Sequence, residues 1–156
     1  MKRLDFELFD EVALRAVESP RKRMHYDLRT EAFEPLREDG SHSWHDTSMK
    51  MLNVLMADSV IPIHRHRDTN EVVVVMRGSG CEVEYDDEGR ELERVELMAG
   101  GACSGVMVPR GAWHTFIAHE DGTTIFEAKD GAYDPVETEE FLTPSARSFD
   151  SAQDKF

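Results

Sequence analysis

One spacing constrains this chain more than any other feature: His64-Arg65-His66, four residues, Glu71, six residues, Gly78. Further along comes Pro109-Arg110-Gly111-Ala112-Trp113-His114. On a pleated strand alternate residues face the same way, so His64 and His66 can grip one ion together. Glu71 follows after a turn, and His114 arrives from a distant strand. A glycine turn closes the first half, and a Pro-x-Gly turn lies within the second. Three imidazoles and one carboxylate suit Fe, Mn, Ni, Cu or Zn, with positions left for water or substrate.

The surrounding pattern agrees. From Met49 onward the chain reads as short strands near 49–57, 60–66, 71–77, 81–86, 90–97, 105–108, 113–119 and 123–129. The turns between them include Arg77-Gly78-Ser79-Gly80 and Asp86-Asp87-Glu88-Gly89. Many short strands at regular spacing predict a sandwich or barrel. Before them, Leu4, Leu8 and Val12 recur every fourth residue, with Phe9, Ala13, Ala16 and Val17 widening the stripe, which predicts a helix over 4–17. Pro20 ends it, because the residue before a proline is pushed out of helical geometry. The division expected is a helix and loop segment at 1–48 packing on the barrel, the barrel at 49–135, and an extension at 136–156 with a loose end. Val72-Val73-Val74-Val75-Met76 is apolar on both faces, where a strand covered on one side would alternate. Its outer face needs a cover, either the N-terminal segment or a second copy of the chain, and a homodimer is expected.

At 156 residues the chain makes one domain with a core of its own. Its 32 acidic and 18 basic residues leave a net charge of −14, which argues against nucleic acid and anionic membrane surfaces as partners. Cys81 and Cys103 read as reduced thiols, buried and apolar in role, in a cytoplasmic protein. The N-terminus shows no continuous apolar run of the kind a secretory signal needs. No stretch approaches the length of a membrane span.

The two histidine-bearing segments resemble the two cupin motifs, His-x-His-x(4)-Glu-x(6)-Gly and Pro-x-Gly-x-x-His. The chain is further similar to the WbuC-type cupin-fold metalloproteins, often found with polysaccharide genes. The likeness runs from about Ser19 to Leu142 and includes Ser19-Pro20-Arg21-Lys22-Arg23, Met51-Leu52-Asn53-Val54-Leu55 and Phe126-Glu127-Ala128-Lys129-Asp130-Gly131-Ala132-Tyr133. It implies an all-β fold, a single cupin jelly-roll barrel with an N-terminal helix, and one divalent metal per chain on His64, His66, Glu71 and His114. Iron or zinc is expected ahead of nickel or manganese. Cys103 and Ala118 depart from the general second motif, which has glycine and asparagine there. Neither position is a ligand.

Other residues are candidates for the substrate side. Arg21 and Arg23 share a face if their segment is extended, and arginine forks suit carboxylate or phosphate. They are expected to fold across the barrel mouth. Asn53 is an amide on an apolar face. Glu127 and Lys129 lie two apart, with Tyr133 after the turn; they serve as an ion pair or as acid and base. Trp113 is core or cavity wall. His25, His42, His45 and His119 read as solvated. The function expected is a metal-dependent enzyme acting on a small polar molecule, sugar-related or anionic. The alternatives are a metal-dependent binding or sensor protein without turnover, and a barrel merely stapled by its ion.

Overall fold

The computed structural model describes residues 3–28, 31–33, 48–131 and 138–140. Helix α1, Phe6–Glu18, opens on Asp5, whose side chain accepts the Leu8 backbone N–H at 3.1 Å. Ser19 caps its end, just before Pro20. Leu8, Phe9, Val12 and Ala16 form the buried stripe, whereas Leu4 and Val17 are 40% and 53% exposed. The stripe is therefore narrower than the sequence predicts.

Two antiparallel sheets follow. The first has β2 (Ala32–Phe33), β1 (Arg23–Asp27), β3 (Met49–Leu55), β10 (Thr123–Lys129), β5 (Glu71–Arg77) and β8 (Gly105–Val108), in that spatial order. The second has β11 (Thr138–Glu140), β4 (His64–His66), β9 (Trp113–Ala118), β6 (Ser79–Tyr85) and β7 (Glu91–Met98). The fold is an all-β jelly roll with an N-terminal helix. The sheet begins at β1, not at Met49, because residues 23–27 pair with β3 from Arg23↔Leu55 to Asp27↔Met51. Strand β4 is shorter than predicted: Pro62 has no N–H for a ladder bond.

Leu55, Val73, Val75, Leu97, Phe116, Ala118 and Ile125 fill the space between the sheets. A second cluster lies outside the six-stranded sheet, where Leu52, Val54 and Tyr26 meet the α1 stripe. Strand β3 is thus buried on both faces. The doubly apolar strand is β5. Its Met76 packs against the helix cluster, while Val72 stays 39% exposed opposite Met107 of the edge strand β8. Gly80 faces the interior opposite Ala118; a Cβ there would collide with the Phe116 ring and sit 2.6 Å from the Ile117 carbonyl oxygen.

Candidate metal centre

The two motifs meet because β4 pairs with β9, with His64 directly opposite His114. His66 lies two residues on, so all three rings face inward from the five-stranded sheet. Their centroids lie 4.3 Å (His64–His114), 5.2 Å (His64–His66) and 5.7 Å (His66–His114) apart. Glu71 comes from β5 in the other sheet, so the cluster bridges the two layers. One donor atom from each of the four residues falls within 4.8 Å of the others. The turn at Pro109-Arg110-Gly111 locks the halves together. The Gly111 N–H donates to the His66 carbonyl at 2.7 Å, and the Arg110 N–H donates to Asn70 Oδ1 at 2.9 Å. Gly111 has φ +82°, the left-handed region that glycine enters most easily.

The hydrogen bonds behind the rings show whether a cation fits. His64 Nδ1 donates to the Pro62 carbonyl at 2.9 Å, and His114 Nδ1 to the Ala112 carbonyl at 3.0 Å. Both Nε2 atoms then turn to the centre, the arrangement that orients metal-binding imidazoles. His114 Nε2 lies 3.1 Å from Glu71 Oε2. A lone pair and a carboxylate at that distance need a positive charge between them, a proton or a metal ion. Burial, then the His114 charge, lowers His64 to about 4, so it is a neutral ligand at pH 7. Burial alone would raise Glu71, but hydrogen bonds from His114 and His66 hold it well below the usual carboxylate range. Burial likewise lowers His114, and the Glu71 contact more than reverses it. Lys129 Nζ donates to His66 Nδ1 at 3.0 Å, which places the His66 proton on Nε2, 3.5 Å from Glu71. A metal held there would need His66 Nε2 without its proton, which would move to Nδ1 and open the Lys129 contact. The donor set fits a divalent metal.

The four residues form part of the wall of a cavity of about 380 Å³. Arg21, Arg23, Asn53, Glu127 and Lys129 line the same cavity. The turn Ser19–Lys22, with Lys22 at φ +53°, swings the chain from α1 into β1, and strand alternation then aims Arg23, His25 and Asp27 inward. Asn53 is 1% exposed and hydrogen-bonds Glu127. Glu127 borders the cavity yet is packed closely enough that burial, then the Glu71 charge, pushes it up to about 8. Trp113 is not in the cavity. It alternates with His114 and so faces the other side of β9, with the Arg65 guanidinium 4.2 Å from its ring centroid and its Nε1 donating to Asp87 at 3.0 Å. Tyr133, His42 and His45 lie outside the described residues.

Residues 4–97 match the model of a family described as a domain of unknown function, DUF6016. The chain belongs to that family. No curated protein sequence matches it. Among solved structures it is similar to the capsular polysaccharide assembling protein CapF from Staphylococcus aureus, with 19% identity and a TM-score of 0.52, over 63% of this chain and 28% of CapF. Oxalate decarboxylase from Bacillus subtilis is similar at 18% identity and a TM-score of 0.51, over 69% of this chain and 28% of that one. A structural-genomics target from Shewanella oneidensis is similar at 15% identity and a TM-score of 0.55, over 80% and 77%. This chain spans under a third of the length of CapF and of oxalate decarboxylase. These likenesses establish a cupin fold.

Four ionisable residues of the cavity, His25, Asp27, Glu82 and Glu140, are not picked out by the sequence alone. His25 follows Arg23 by two on an extended strand, a signal that was present. Asp27 continues the same alternation. Glu82 gave no signal, because Cys81, Val83 and Tyr85 are the apolar members of β6 and would be taken for the inward face. Glu82 is instead the inward residue, 6% exposed, with neither carboxylate oxygen hydrogen-bonded. Burial pushes it to about 7, opposed by the His114 charge. Cys103 is exposed, contrary to expectation, and Cys81 is buried. Cys81, Glu96 and His119 also bring donor atoms within 4.8 Å, but the Arg94 guanidinium donates to Cys81 Sγ at 3.0 Å and competes with any cation there. No helix among the described residues is long and apolar enough to cross a membrane.

Proposed function

We propose that this cupin is a metal-dependent enzyme acting on a small, polar, anionic molecule. The observation that carries the reading is the shared cavity: the four donor residues and the basic groups of Arg21, Arg23 and Lys129 line the same space. A purely structural ion sits in a closed shell, without a chamber beside it. A divalent ion held by His64, His66, Glu71 and His114 supplies Lewis acidity or an activated water. Arg21 and Arg23 receive the anionic end of the ligand, since a chain of net charge −14 needs local positive charge to hold an anion. Glu82 and Glu127, both shifted toward neutrality, take or give protons. That last feature favours turnover over the alternative, a binding or sensor protein with the same cavity.

The likeness to WbuC-type proteins makes a sugar-related acid the first class to test, with iron or zinc as the metal. The reduced cysteines support a cytoplasmic location. The exposed pair Val72 and Met107 on the outer face at the sheet edge supports a homodimer that covers it.

The test begins with protein purified without a metal-affinity tag. Elemental analysis is expected to give close to one metal per chain, lost in His114→Ala. Calorimetry of the loaded protein is expected to show glucuronate binding more tightly than glucose, a preference lost in the Arg21→Gln/Arg23→Gln variant. Unchanged metal content in His114→Ala overturns the metal assignment. Equal binding of the two sugars overturns the anionic substrate.

A further inference from the structure

We propose that Glu93, Glu84 and Glu82 form the path by which a divalent cation reaches the four-residue centre. This rests on the reading that the centre binds a metal. Glu82 and Glu84 alternate on β6 and share its inner face. Glu93 on β7 lies directly opposite Glu84, and His114 on β9 lies opposite Glu84 from the other side. One row of the sheet therefore runs Glu93, Glu84, His114, with Glu82 in the next row.

Exposure falls along this line. Glu93 is exposed, Glu84 half-buried, and Glu82 buried at 6%. The three carboxylates line a second cavity of about 260 Å³, whose remaining wall is His114 and the apolar segment Val95, Val106, Met107, Val108 and Pro109. No lysine or arginine among the described residues lines it. Glu82 and His114 line both cavities, so the second chamber ends where the first begins.

Two features of the row are costly without a cation. Like charges directly opposite on neighbouring strands, as at Glu84 and Glu93, destabilise a sheet. A buried carboxylate with neither oxygen hydrogen-bonded loses its hydration without replacement, and each such group calls for an explanation. Both concentrate negative potential along the row, which draws a dication inward. In the larger cavity a cation would also meet Arg21 and Arg23. The larger cavity has a mixed lining, with Arg21, Arg23 and Lys129 beside Asp27, Glu127 and Glu140, whereas the smaller one carries carboxylates without a lysine or arginine among the described residues, and the two meet at Glu82 and His114.

The rate of metal uptake decides this. Full-length protein stripped with a chelator is mixed with Co²⁺ in a stopped-flow instrument, and the visible absorbance of the bound ion is followed. The double variant Glu84→Gln/Glu93→Gln changes exposed and half-buried positions, so it is expected to fold like the parent by circular dichroism. It should take up Co²⁺ at least about tenfold more slowly at low salt, the scale of electrostatic steering. Its equilibrium affinity should fall by less than its uptake rate, because part of the effect lies in the barrier, which is shared by entry and exit. Added salt should slow the parent and leave the double variant nearly unchanged. Glu82→Gln should slow uptake in the same direction. Uptake rates within twofold of the parent in both variants overturn the path. So does a selective acceleration by Arg21→Gln/Arg23→Gln, which places the entrance at the other mouth. If the parent binds no Co²⁺ at all, the metal reading fails first, and the path with it.

Discussion

Glu82 should make the metal-free protein lose stability as pH rises, and Glu82→Gln should remove that part of the loss. The carboxyl moves from an ordinary value of 4.5 to about 7 on folding, chiefly through burial. Between those values the unfolded chain has released the proton and the folded chain still holds it. Fewer protons on the unfolded state mean that stability falls with pH, and above about 7 the loss is complete. At ~1.4 kcal/mol per pH unit, the full penalty is about 3 kcal/mol. About 2–3 kcal/mol of that develops between pH 5 and pH 8. Glutamine has nearly the same shape and no charge to desolvate. Its amide still lacks a partner, but that cost does not vary with pH, so the slope rather than the absolute stability carries the test. The assay is urea unfolding in chelator at pH 5 and pH 8, followed by tryptophan fluorescence. The variant should gain on the parent by about 2 kcal/mol or more on going from pH 5 to pH 8. A variant-minus-parent difference that is flat across that range refutes the assignment of Glu82 as a buried, unpartnered carboxyl.

Glu127 obeys the same sign, with its loss extending to about pH 8, so chelated Glu127→Gln should flatten the stability profile further toward alkaline pH in the same urea assay. Gly80→Ala should cost about 1–3 kcal/mol by overpacking, toward the upper end because the Ile117 carbonyl is backbone and cannot swing aside; a denaturation midpoint equal to the parent's contradicts the close approach. Val72→Asp/Met107→Glu should convert a dimeric mass to that of one 17.8 kDa chain in light scattering, and a parent already at that mass rules out the dimer. Adding zinc to the stripped protein in weak buffer at pH 7 should release protons, because the Glu71 contact raises His114 above its ordinary value and its Nε2 must be free of a proton to hold the ion; calorimetry in two buffers of different ionisation enthalpy measures the number released.

Local spacing alone determined much of this protein. Histidines two positions apart, a glycine turn and a Pro-x-Gly turn are short-range facts, and strand geometry converts them directly into shared faces. The strands from Met49 to Lys129 and the helix were legible for the same reason: period 2 and period 3.6 are visible within a few residues. Pairing was not legible. That His64 stands opposite His114, and that Glu71 reaches them from the other sheet, depends on which strands become neighbours. The phase of β6 shows the difference most clearly. Its apolar residues Cys81, Val83 and Tyr85 suggest an inward face, but pairing places Gly80 opposite Ala118 and Glu82 opposite Phe116. The inward side of β9 is set by His114, and its neighbour must follow. The segment that carries Arg21 and Arg23 has an alternation that says which residues share a face but not which face turns inward; Met24 and Tyr26 pack beneath α1 and turn Arg23 and His25 toward the cavity. Charge on one face and apolar packing on the other are set by what lies above and below the sheet. A single strand carries no information about that, and only the assembled layers supply it.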